Sequence, residues 1–269
     1  MVIPVYDVNP VRRTPWVTYF LIAANVVIFL LTPAARDTGM SSVGAGELCR
    51  QQAYYDRYAA IPHELVDNEQ LGAAPTGAVG SDAQGRIGCV VQPPGYHKVP
   101  ALSVLYSMFL HGGWLHLLGN MLFLWVFGNN IEDRLGRVRY LIFYLLAGYV
   151  AAYGFALANA GSTEPLIGAS GAVAGVLGAY LTLFPRARVW SLVPVLLFIP
   201  FRLPAWLVLG GWFLLQWLYS SGSSVASGAG VAYLAHVYGF IAGVLVALLM
   251  RPMLADRGPY PPPRRLRRL

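Results

Sequence analysis

The chain has 269 residues, 57% of them hydrophobic and 12% charged, with a mean hydropathy of +0.54 and a formal net charge of +7. That balance excludes an ordinary soluble domain and points to a membrane as the solvent. The basic residues sit at the ends of apolar windows, so the charge reads as a topology signal and an attraction to anionic lipid; no nucleic-acid motif accompanies it.

Residues 1–16 read as a short cytoplasmic tail. Between Arg13 and Arg36 lie 22 residues without Asp, Glu, Lys or Arg, and one membrane helix needs about 20. A cleaved signal peptide is the alternative for this window, although Asn25 interrupts the apolar run and no clear small-x-small site follows. A long loop occupies about residues 33–100. Its stretches CRQQAYYDRYAAIP and HELVDNEQL look helical, and the Gly-rich AAPTGAVGSDAQG reads as flexible. Cys49 and Cys89 are the only cysteines; facing an oxidising exterior they are expected to bridge, with two free thiols as the alternative.

Four further uncharged windows follow: 33 residues between Lys98 and Glu132, 24 between Arg139 and Glu164, 21 between Glu164 and Arg186, and 48 between Arg202 and Arg251. The last holds two spans separated by SSGSSVASGAG, which makes six in all. Val189 to Phe201, with Pro194 and Pro200, is too short to cross and is expected in the interface. Arg12, Arg13, Arg134, Arg137, Arg139, Arg186, Arg188 and Arg202 flank alternate span ends, and the opposite connections near Asn159 and Ser220 lack Lys and Arg. Both termini are therefore expected in the cytoplasm, with the long loop outside, and the basic Pro-rich stretch 251–269 is expected to be a disordered tail. The fold class expected is all-α: a polytopic bundle of six transmembrane helices over residues 17–250.

Polar groups inside such spans are costly and ask for a reason. His116 and Asn120 are four apart, hence on one helical face, where two donors suit an oxyanion. Ser170 opens the fourth span between Gly168 and Gly171, where free N–H groups and the positive helix end favour developing negative charge. A serine needs a base, and His236 on the last span is the candidate. Ala235, Gly239 and Gly243 repeat every four residues there and face a similar pair, Gly171 and Gly175, permitting close helix contact. His111 reads as structural, and Asn25 and Gln216 as interhelical hydrogen-bonders. His111 and His116 lie five apart and the spans hold no carboxylate or cysteine, so no metal or other cofactor is expected. HExxH is absent and so is an intramembrane Asp pair, which leaves serine chemistry by a dyad with no third group orienting the base.

At these residues the sequence resembles the rhomboid intramembrane serine proteases. HGGWLHLLGN is similar to the family's His-x4-His-x3-Asn, GASG to its Gly-x-Ser-Gly, and AHVYGFIAG to its Ala-His-x2-Gly-x3-Gly, over about Val99 to Met250. Gly128, Glu132 and Gly136 share the family's spacing. The resemblance implies that Ser170 attacks the scissile carbonyl, that His236 acts as base and then acid, and that His116, Asn120 and the Ser170 N–H hold the oxyanion. Ala174 stands where some members carry a tyrosine against the histidine, and the first loop lacks a Trp-Arg pair. The expected partners are transmembrane protein substrates and lipid, in the plasma (inner) membrane, with the oligomeric state open. The alternative is a non-catalytic membrane protein, a channel or a binder of transmembrane segments, using the same polar groups between helices.

Overall fold

The computed structural model describes residues 3–9, 11–36, 44–81, 84–193, 199–221 and 232–255. Each uncharged window contains helix: α1 (Trp16–Leu30), α5 (Trp114–Phe123), α6 (Asn129–Leu135), α7 (Arg137–Ala158), α8 (Ser170–Leu183), α9 (Ala205–Ser220) and α10 (Tyr233–Ala255), with α2 (Ala45–Tyr58), α3 (Pro62–Asp67) and α4 (Pro100–Ser107) before α5. A π-helical segment, Leu124–Gly128, joins α5 to α6 without a break. Among the described residues, two helices are long and apolar enough to cross a membrane unaided, at 22 residues each: Arg137–Ala158 and Tyr233–Leu254.

The fold is mostly helical but not all-α. β1 (Ile3–Asp7), β4 (Arg188–Val193) and β5 (Ile199–Pro204) form an antiparallel sheet in the order β1-β4-β5. This corrects the all-α expectation in two places, the N-terminal tail and the short segment after α8, neither of which was expected to hold a strand. The prolines explain the order: Pro4, Pro200 and Pro204 lie on the edge strands, and the central RVWSLV has none, because proline cannot donate to a ladder. Pro194 lies outside the described residues. So do most of the Ser220 to Gly230 connection and all of the basic tail after Ala255.

The long loop 33–100 also differs from its expectation. Its Gly-rich part forms β2 (Ala74–Ser81), which pairs with β3 (Ile87–Gln92) and packs on α2. Gly77, at φ +86°, brings that strand against the backbone of Arg50, a conformation L side chains rarely adopt. A disulfide between Cys49 and Cys89 ties α2 to β3 across 40 residues of sequence. Beneath, the buried Lys98 ammonium lies 2.7 Å from Glu64 and donates to the Asp56 carbonyl at 2.7 Å. Burial pushes the lysine's pKa down, and the Glu64 carboxylate opposes the shift.

Two contacts carry the frame to the site. Glu132 accepts from the Val17 N–H at 3.0 Å, the Thr18 N–H at 2.7 Å and the Thr18 hydroxyl at 2.8 Å, so its carboxylate caps the N-terminus of α1 and fixes α6 against it. Helices α8 and α10 meet backbone to backbone: a Cβ at Gly239 would lie 2.1 Å from the Gly171 carbonyl oxygen, and one at Gly243 1.9 Å from that of Gly175. Only hydrogen fits at either point.

Candidate functional site

Ser170 is the first residue of α8, after Ala169 at the cap position, so its N–H belongs to the unsatisfied first turn. The glycine seam holds α10 alongside, and His236 Nε2 lies 2.8 Å from Ser170 Oγ. His236 is 9% exposed. The contact therefore sits in a setting where water competes weakly.

His116 and Asn120 open into the same cavity from α5. Gly168 makes room: at φ +120°, a Cβ there would fall 2.7 Å from His116 Nε2 and 3.5 Å from Ser170 Oγ. The imidazole edge thus reaches the space above the serine hydroxyl. The Gly112 N–H points at His116 Nδ1 from 3.4 Å, a long contact that leaves Nε2–H as the donor toward the cavity. Asn120 is 8% exposed and its Nδ2 has no partner among the described residues. A buried amide donor facing a cavity with its hydrogens unspent is suited to a ligand oxygen.

The cavity encloses about 740 Å³ and is lined by these four side chains together with apolar residues including Phe123, Leu166, Ile167, Val173 and Leu177. Its rim is tied to the long loop 33–100. The Ser107 hydroxyl accepts from the Ala60 N–H at 2.6 Å and its carbonyl from the Gly168 N–H at 2.9 Å, while the Leu166 N–H donates to the Ala60 carbonyl at 2.7 Å. The loop that delivers Ser170 is thereby pinned by residues far away in sequence. His111, fully buried, stands edge-on to His116 at 5.1 Å between ring centroids and does not line the cavity.

Two features of the site differ from the expectations drawn from sequence. His236 does have a third group beside it: Gln216 Oε1 on α9 lies 2.7 Å from His236 Nδ1. The aromatic support absent at Ala174 comes from Trp212, one turn before Gln216, whose ring centroid is 5.9 Å from that of His236. A scan for carboxylates could not find either residue, since neither ionises, and the four-residue spacing of Trp212 and Gln216 was the available signal. Asn25, by contrast, donates to Leu21 O within its own helix at 2.7 Å rather than to a neighbour. Among the described residues no group of three His, Cys, Asp or Glu side chains could hold a metal ion.

A helical bundle with a serine–histidine pair at the floor of a cavity between apolar helices defines a class of membrane-integral protein. The Rhomboid domain matches residues 100–253, more than half of the 269, and the chain belongs to the rhomboid family, which comprises intramembrane proteases and pseudoproteases. It is 28% identical over 169 residues to RHOMBOID-like protein 6, mitochondrial, of Arabidopsis thaliana, covering 63% of this chain and 52% of that one. It is 33% identical over 150 residues to Rhomboid protein 1, mitochondrial, of Saccharomyces cerevisiae, covering 54% and 40%. It is 36% identical over 105 residues to Presenilin-associated rhomboid-like protein A, mitochondrial, of Danio rerio, covering 38% and 27%. The chain spans about half the length of these relatives or less. Their names place them in mitochondria, and nothing in them supports the plasma membrane expected from the sequence.

Proposed function

We propose that this protein is a serine endopeptidase that cleaves transmembrane segments of other membrane proteins inside the bilayer. The observation that carries the reading is the 2.8 Å contact between Ser170 Oγ and His236 Nε2, facing a cavity into which the unpartnered Asn120 amide also opens. As Oγ attacks the scissile carbonyl, its proton passes to Nε2, and the imidazolium then delivers it to the leaving amine. The carbonyl oxygen, now negative, accepts from His116 Nε2–H, the Asn120 amide and the Ser170 N–H at the positive end of α8. A second attack, by water, frees the acyl product. No step calls for a cofactor.

Six transmembrane segments fit this chemistry: α1, the continuous run from α5 to α6, and α7 to α10. At 14 residues, α8 is roughly 21 Å long against a hydrocarbon core of about 30 Å, so Ser170 would lie below the outer surface, with the pinned loop before it dipping inward. The arginines flanking alternate ends favour cytoplasmic termini, and the bridged outer loop suits an oxidising exterior. The domain division is then residues 1–16, the membrane domain 17–250 and the tail 251–269, with β1 as the structured part of the first.

The test is reaction with a fluorophosphonate, paired with cleavage of a transmembrane substrate in detergent. Labelling and cleavage that both vanish in Ser170→Ala and His236→Ala are expected. A folded wild-type protein that neither labels nor cleaves would instead mark a pseudoprotease, or a binder of transmembrane segments.

A further inference from the structure

Resting on the reading of Ser170 and His236 just proposed, we infer that Gln216 is a positioning residue, whose side-chain oxygen sets the tautomer of His236 and so completes a Ser–His–Gln relay without a carboxylate. The geometry has a single productive polarity. Ser170 can be activated only if Nε2 carries the lone pair and accepts the hydroxyl proton. A neutral imidazole has one N–H, so Nδ1 must then be the protonated nitrogen. Nδ1 lies 2.7 Å from Gln216 Oε1, an oxygen that can only accept, and the two polarities agree along the chain from Oε1 through the ring to Oγ. With the amide reversed, its NH2 would donate to Nδ1, the ring proton would move to Nε2, and Ser170 would face a donor instead of a base.

The surroundings confine the side chain. Gln216 is 6% exposed, on a helix different from those of both Ser170 and His236, and lines the cavity with them. Trp212, four residues earlier on the same face of α9, packs on the imidazole, so one helix supplies both a wall for the ring and a partner for its far nitrogen. A neutral acceptor also suits the setting. A buried carboxylate beside a neutral histidine would carry an unpaired charge through the whole resting state. The Gln216 dipole is present at rest at lower cost, and strengthens its hold when the imidazolium forms as the proton leaves Oγ.

The experiment compares Gln216→Met, which keeps length and apolar bulk but loses the acceptor, with Gln216→Glu, which keeps an acceptor, in full-length protein in detergent. Ring 15N spectra of His236 report the tautomer, and kcat and KM are measured on a transmembrane substrate. Expected are an Nδ1–H tautomer in the wild type that is lost in Gln216→Met, a kcat lower by roughly tenfold to a hundredfold with KM unchanged, and recovery in Gln216→Glu. The inference is overturned if Gln216→Met keeps the wild-type tautomer and kcat. It is overturned equally if both variants lose activity together with thermal stability, the mark of a packing role. Should the wild type prove inactive, the proteolytic reading fails, yet the spectra still decide whether Gln216 sets the ring.

Discussion

A side chain's worth at this site depends on which atom it offers to which partner. In the proposed mechanism Ser170 and His236 act on one proton, so removing either should cost nearly the whole rate, and Ser170→Ala with His236→Ala together should be little worse than each alone. Their folding contribution is small beside the glycine seam and the apolar helices, so all three variants should insert and melt close to wild type. Substrate cleavage and detergent thermal melts, run in parallel, check both halves. Asn120→Ala removes one of three oxyanion donors and should lower kcat by roughly 10² to 10³ or less, with KM little changed. An effect on KM alone would place Asn120 in substrate binding instead.

At the scale of the elements, the α8–α10 seam sets the distance on which the chemistry depends. A methyl at Gly243 would sit 1.9 Å from the Gly175 carbonyl oxygen, and neither backbone is free to yield. Gly243→Ala should therefore push α10 away, costing about 1–3 kcal/mol by overpacking and weakening cleavage by displacing His236, two turns along. A thermal melt and a labelling rate, both reduced, are the expected pair. On the opposite side, Asp7 at the end of β1 accepts from the Tyr180 hydroxyl near the end of α8 and from Asn130 Nδ2 at 2.8 Å. Burial raises its carboxyl from 3.8 to about 6, against smaller lowering contributions from Tyr180 and Asn9. Because the folded value lies above the ordinary one, this group's stabilisation is complete below about pH 4 and is lost as pH rises through about 6. Wild-type melting temperature should thus carry a fall between about pH 4 and 6 that Asp7→Asn reduces. Parallel melting curves for the two proteins would contradict that account.

Across the whole molecule, the outer loop acts as a clamp on the membrane bundle. The Cys49–Cys89 bridge closes 40 residues, for which chain-entropy reasoning gives about 4 kcal/mol, and the folded loop holds Ala60 and Ser107 where they pin Leu166 and Gly168. Reduction should lower the melting temperature of detergent-solubilised protein while leaving residual activity below the new transition, because the bridge touches no reacting atom. Orientation is read by reporter fusions. An externally active reporter should work when placed in the outer loop and stay silent after Leu269; the reverse pattern would invert the topology.

The sequence by itself determined the membrane setting, the apolar windows and the candidate site residues, because each is local: hydropathy and charge are counted along the chain, and Ser170, His236, His116 and Asn120 lie in short motifs. It also carried the small-residue repeats, since a four-residue spacing marks a helical face whatever lies opposite. Its failures in the fold were non-local. A Gly-rich stretch became β2 only because β3 and α2 lay beside it, and the Pro-bearing segment after α8 became a hairpin because Ile3–Asp7 returned from the start of the chain to pair with it. The partners of polar groups were equally out of reach. Asn25 turned to its own helix, whereas Gln216 met a histidine 20 residues on, and the spacing of Trp212 and Gln216 marks a shared face without naming what stands opposite. Spacing states which face a side chain shares; only the packed tertiary structure decides what stands across from it, because that is set by the backbone approach of helices such as α8 and α10.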